Sequence, residues 1–181
     1  MKKETKKQLL IGAALVLELL FLLLYLNGRI DRLLDSDMSS EMILGQLLAR
    51  NNGILSDQWY YSTELRVLNT QLIYALFFRL SSNWHFVRMA STLVLWCVLI
   101  ASYGVLCRVM GCKKSFGVTA LLLAAPVSES YFRFVLAGVY YVPHLAIAFA
   151  ALALNEAYFK AKPDRKKFWL VVSVLLALVA G

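Results

Sequence analysis

The stretch QLLIGAALVLELLFLLLYL, residues 8–26, carries one charged side chain, Glu18, and is otherwise almost wholly apolar. A helix rises 1.5 Å per residue, so about 20 such residues cross the roughly 30 Å hydrocarbon layer of a bilayer. The preceding MKKETKK also suits a signal peptide, but Asn27-Gly28-Arg29-Ile30-Asp31 follows the run and supplies no small-x-small cleavage site. The segment therefore reads as an uncleaved membrane anchor.

Outward from that run the rest of the chain has the same character. Of its 181 residues, 60% are hydrophobic and 17% charged, where a soluble domain carries roughly a quarter charged residues. The expected fold is all-α, a polytopic transmembrane helix bundle. Its spans lie at about residues 8–26, 87–107, 116–132, 143–159 and 168–181. The apolar region from 116 to 159 is too long for one crossing and is interrupted by Pro126, Ser128, Glu129, Ser130 and Arg133, which divides it into two. Glu18 inside the first span is costly in lipid, and either a polar neighbour or protonation would relieve it.

A net charge of +8 would by itself suit nucleic acid, but the positions of the charges explain it otherwise. All ten lysines, at 2, 3, 6, 7, 113, 114, 160, 162, 166 and 167, fall in segments that alternation of the spans places on one side. Arg108 and Arg165 join them there, and the other seven arginines are balanced by seven acids on the opposite side. Cytoplasmic loops carry excess Lys and Arg. The expectation is a multi-pass protein of the cell membrane with a cytoplasmic N-terminus and no nucleic-acid partner.

The longest outer segment, residues 27–86, is patterned. Asp37, Ser39 and Ser40 are candidate caps for a helix over about 38–50, with Ile43, Leu44, Leu47 and Leu48 at helical spacing and Asn51-Asn52-Gly53 as its stop. A second helix over about 65–80 places Leu68, Leu72, Ile73, Leu76, Phe77 and Leu80 on one face, with Arg66, Asn69 and Thr70 off it. Counting it as a span would move Lys113 and Lys114 to the outer side, so it is expected to lie on the membrane surface as an amphipathic juxtamembrane helix.

The order of these features resembles the N-terminal part of the GT-C superfamily of membrane glycosyltransferases, in the branch of protein O-mannosyltransferases and lipid A aminoarabinose transferases. Asp35-Ser36-Asp37 stands where the family has an acidic motif after its first span. The loop helix at 72–80, Arg88 near the start of the second span, the basic turn 108–114 with Gly111, and a short span ending at Pro126 follow in the family's order. The branch also carries a His-Pro-Pro-like motif and a second outer Asp; Thr63-Glu64-Leu65-Arg66 and Tyr140-Tyr141-Val142-Pro143-His144 stand in those places. The resemblance implies transfer of a sugar from a polyprenyl-phosphate-type donor to an acceptor of unspecified identity on the outer face, with membrane lipid as surroundings. It also implies further spans beyond residue 181 and no activity for residues 1–181 alone.

Such a transfer needs a carboxylate to take or orient the acceptor proton, cations for the phosphate, and a groove for the polyprenyl tail. Asp35 and Asp37 are the catalytic candidates; the alternative is that they cap a helix. Glu64, Arg66, Arg88, Arg133, Tyr141 and His144 are the substrate-binding candidates. A guanidinium fork grips phosphate oxygens in pairs, but an interfacial Arg also snorkels to headgroups. Trp59-Tyr60-Tyr61 and Tyr140-Tyr141 suit sugar stacking or an aromatic belt. His85 and His144 sit at the outer edge, where acid–base work or simple anchoring would serve, and Glu129 is the nearest substitute for the missing Asp.

No cofactor is required, although a divalent cation at Asp35 and Asp37 is compatible with the pattern if further ligands are supplied. Cys97, Cys107 and Cys112 lie in or beside the second span, which leaves no outer disulfide framework. Phosphate-binding Gly loops and zinc-protease pairs are absent from the sequence. The rival class is a non-enzymatic polytopic membrane protein, such as a lipid flippase, a transporter subunit or a structural component.

Overall fold

A computed structural model describes residues 3–61 and 69–180. The described residues form helices and turns, with no strand among them. They are α1 (Lys3–Asn27), a 3-10 turn (Ile30–Leu33), α2 (Ser36–Asn51), α3 (Thr70–Phe78), α4 (Trp84–Met110), α5 (Phe116–Ala124), α6 (Glu129–Ala137), α7 (Val142–Lys160) and α8 (Pro163–Ala180). Three helices, Thr5–Asn27, Trp84–Met110 and Val142–Lys160, are long and apolar enough to cross a membrane, and the bent pair α5–α6 makes a fourth if counted as one. These are the helices of a membrane-associated protein. Helix α8 starts at Pro163, earlier than the expected 168, because a proline at the first helical turn loses no intrahelical hydrogen bond.

The expected straight span at 116–132 is broken. Helix α5 ends at Ala124, and α6 leaves at 88° to it. Nine residues of helix reach only about 14 Å, less than half of a bilayer's hydrocarbon layer. Ala125 adopts the extended backbone that a following proline imposes, and Ser128 restarts the chain by accepting from the Tyr131 N–H at 3.1 Å. From Phe132 to Ala137 the helix widens to π geometry. The Trp96 indole N–H reaches one carbonyl of that segment, Leu136 O, at 2.9 Å.

The main core lies where α1, α4, α6 and the start of α7 meet, through Leu22, Leu26, Leu95, Trp96, Leu136 and Val142. Helix α4 runs on beyond it. Phe149 of α7 packs on Tyr103 of α4 with ring centroids 5.4 Å apart. By helical rise, Val142 therefore lies near the level of Trp96, and the 12 residues before Trp96 extend about 18 Å further. That extension carries Val87, which packs with Met42 of α2 and Tyr74 of α3.

Helices α2 and α3 dock closely because Gly45 has no side chain: a Cβ there would fall 2.6 Å from Tyr74 Cβ. The face of α3 turned towards α2 carries polar side chains. Thr70, Gln71, Tyr74 and Ala75 are buried, whereas Leu76 is 51% and Leu80 73% exposed. Glu41 of α2 is the reason. Its carboxylate accepts from the Thr70 hydroxyl and, at 3.1 Å, from the Asn69 amide. A polar seam joins the helices, with Asn69 Oδ1 left buried and unpaired among the described residues, while Leu72 packs inward and Leu76 faces outward.

The two ends of the bundle differ in charge. At one end His85 joins Asp31 and Asn27. At the other, Gly117 of α5 sits against Ile11 of α1, and the Lys160 ammonium donates to Val109 O at 2.7 Å while pairing with Glu156. Lys113 and Lys114, in the turn between α4 and α5, belong to this second end. Glu18 lies between the two ends, half-buried, with no hydrogen-bond partner among the described residues.

Candidate functional site

Asp35 is the N-cap of α2. Its backbone is extended and its Oδ1 accepts from the Met38 N–H at 2.9 Å, while its carbonyl accepts from the Ser39 hydroxyl at 2.6 Å. The helix thus begins at Ser36, with Asp35 rather than Asp37, Ser39 or Ser40 in the capping position. Capping occupies one oxygen of Asp35 and leaves Oδ2 without a hydrogen bond among the described residues. Asp37 is exposed in the first turn, where the positive end of the helix dipole favours a carboxylate. At the other end of α2, Asn52 in left-handed backbone closes the helix where the Asn51-Asn52-Gly53 stop is expected.

Tyr140 connects this acidic turn to the far part of the chain. Its phenol is pushed up to about 12, chiefly by burial, then by the negative charges of Asp35, Tyr141 and Asp37, with Arg133 opposing them. Both aspartates, the tyrosine and the arginine therefore share one electrostatic neighbourhood. Tyr141 packs at a tilt of 46° against Tyr140 with centroids 4.8 Å apart, packs edge-on to Phe134, and lies 6.2 Å from the His144 ring. Arg133, Tyr141 and His144 are all exposed.

The turn presenting these rings is strained. Val139 is buried with φ +56°, a left-handed conformation that a β-branched side chain rarely adopts. Gly138 before it has no room for a side chain: a Cβ would meet Arg133 O at 2.5 Å and the Tyr140 ring at 2.9 Å. With the π-helix just upstream, the backbone here is irregular over several residues, and such backbone gathers at functional positions.

The other candidates fall elsewhere. Arg88 is 2% exposed, donating to Ile30 O and, at 3.0 Å, to Met38 Sδ. Its terminal nitrogens are spent inside the protein. Glu64 and Arg66 lie outside the described residues. Glu129 is exposed in the first turn of α6, and no hydrogen bond, ion pair or ring contact ties it to Tyr140. Trp59 and Tyr61 pack against Leu44, Leu48 and Ala75, leaving Tyr60, 88% exposed, as the free ring of that trio.

His85 holds Asp31 Oδ2 through Nδ1 at 2.8 Å and Asn27 Oδ1 through Nε2 at 3.2 Å. It ties the end of α1 to the start of α4. Neither Asp31 nor Glu41 was identifiable as a partner residue from the sequence, since each meets its partner only after distant helices dock.

Among the described residues no three His, Cys, Asp or Glu side chains gather as a metal cluster. A cation at Asp35 and Asp37 would draw its remaining ligands from water or phosphate oxygens, as magnesium commonly does. No protein-family model matches this chain, and neither the curated proteins nor the solved structures contain a match to it.

Proposed function

We propose that this protein is a polytopic membrane glycosyltransferase of GT-C type, moving a sugar from a polyprenyl-phosphate-type donor to an acceptor on the outer face of the cytoplasmic membrane. The observation that carries the reading is that Asp35, Asp37 and Arg133 all act electrostatically on the phenol of Tyr140, in the turn that presents Tyr141 and His144. The lysine bias supports a cytoplasmic N-terminus, with α2 and α3 lying on the outer surface. The exposed Leu76 of α3 and Leu80 just after it support contact of that helix with lipid.

In this reading Asp37, exposed and uncommitted, takes the proton of the acceptor hydroxyl. The acceptor oxygen forms its bond to the anomeric carbon as the bond from that carbon to the donor phosphate oxygen breaks, and the phosphate leaves with the electron pair. Arg133 holds the departing phosphate through its fork of donors. Tyr140, a neutral phenol, donates a hydrogen bond to phosphate or sugar, and Tyr141 with His144 forms a face for the sugar ring. Asp35 keeps the acidic turn in shape and adds negative potential.

The test is transfer from radiolabelled polyprenyl-phosphate sugars by membranes expressing the full gene, comparing wild type with Asp37→Asn, Asp35→Asn and Arg133→Ala at matched expression. Loss of transfer in Asp37→Asn supports the reading. Transfer indifferent to Asp35 and Asp37 removes their roles. The second reading, a non-enzymatic membrane protein, is favoured by the structural use of Asp35 as a cap and Arg88 as a buried tie. Absence of transfer with every donor would select it.

A further inference from the structure

At the lysine-rich end of the bundle, two hollows adjoin, forming a bipartite groove with a shared wall. The first, about 480 Å³, runs between α4, α7 and α8 along Val105, Val109, Ala150, Ala153, Val172 and Leu176. Ala150, Ala153 and Ala157 on α7 leave it unfilled, because their short side chains do not reach across to α4 and α8. The second, about 500 Å³, is lined by Lys160, Lys162, Asp164 and Arg165 in the turn from α7 to α8. Ala157 and Trp169 line both. An apolar slot thus lies beside a cationic pocket, with an indole at the boundary, where Trp is favoured at a membrane interface.

We propose that this groove binds an anionic glycerophospholipid of the surrounding bilayer, one acyl chain lying between α4, α7 and α8 and the phosphate headgroup in the turn. Charge decides the occupant. The pocket presents three cations against one carboxylate, and Lys160 is already engaged by Val109 O and Glu156. Lys162 and Arg165 are exposed with no side-chain partner among the described residues, which leaves two cations for a headgroup. Basic pockets between membrane helices hold anionic headgroups in this way. The proposal is independent of the glycosyl-transfer reading, whose site lies at the opposite end.

The experiment reconstitutes the full chain in vesicles containing brominated phosphatidylglycerol or brominated phosphatidylcholine and measures tryptophan quenching. Subtracting the Trp169→Phe signal isolates the indole at the groove. Half-maximal quenching of Trp169 is expected at a mole fraction at least about five-fold lower for the anionic lipid. That preference should fall to near one in Lys162→Ala/Arg165→Ala and at high salt, and persist in Lys162→Arg/Arg165→Lys. Circular dichroism confirms that each variant keeps its helix content. Equal quenching by the two lipids in wild type would overturn the proposal by making the groove unselective. Absence of quenching by either would also overturn it, because a further protein segment or a second copy would then fill the slot.

Discussion

The guanidinium of Arg88, in the second turn of α4, donates to the main-chain carbonyl of Ile30, the first residue of the 3-10 turn after α1. The same guanidinium reaches Met38 in the first turns of α2, so a single buried cation fastens the acidic turn to the extended end of α4. Asp31 and Asp35 lie within its electrostatic reach. The position of the candidate site thus depends on a residue that does not itself face solvent.

Replacing Arg88 with Met keeps much of the volume but strands the Ile30 carbonyl, an unpaired buried acceptor costing about 1–3 kcal/mol. A lower midpoint of thermal unfolding in detergent is expected. Arg88→Lys should recover part of the loss, since an ammonium can satisfy one carbonyl without reproducing the fork.

Gly45→Val should separate α2 from α3. Its side chain enters space that Tyr74 occupies, and overpacking of this kind costs about 1–3 kcal/mol. Limited proteolysis around residues 52–61 should accelerate, while the packing of α4 on α7 stays intact. Gly45→Ala should show the same change in weaker form.

Asp35→Ala removes the cap of α2 and should cost about 1 kcal/mol, whereas Asn or Ser at this position should hold the helix nearly as well as wild type. Stability and transfer activity measured together separate the roles. If Asp35 contributes negative potential to chemistry, Asp35→Asn keeps the fold and lowers transfer.

Tyr140 is raised from an ordinary value of 10 to about 12, so folding favours its protonated form. The associated stability is complete below pH 10 and is lost as pH climbs from 10 towards 12. An ultraviolet phenolate titration, with Tyr140→Phe as reference, should show this tyrosine ionising late. In Asp37→Asn its ionisation should move towards lower pH, because one of the anions that opposes phenolate formation has gone.

Much of this architecture is readable along the chain. The apolar run at 8–26 contains its own reason for being a long apolar helix, and the lysine positions are local facts that need no partner. The stop at Asn52 was equally legible, since left-handed backbone at a helix end is a property of the residue itself. The start of α2 was less so. Several Asp and Ser residues in succession can all cap, and the docking of Met38 beneath Arg88 accompanies the choice of Asp35.

Only the tertiary structure decided which polar groups are buried and which charges meet. Periodicity placed Leu72, Leu76 and Leu80 on one apolar face of a surface helix, but docking on α2 packs Leu72 inward, leaves Leu76 and Leu80 exposed, and sets Thr70 and Asn69 against Glu41. Pro126 marked an interruption along the chain, but the 88° turn between α5 and α6 is a property of the folded chain that no hydropathy pattern registers. Arg88 and Ile30 stand 58 residues apart, and Tyr140 lies farther still from the aspartates that act on its phenol. Apolar runs and charge bias are sums over neighbours in the chain, so the sequence determined them; a site of a few charged groups depends on helix docking, where one glycine or one buried carboxylate sets the register.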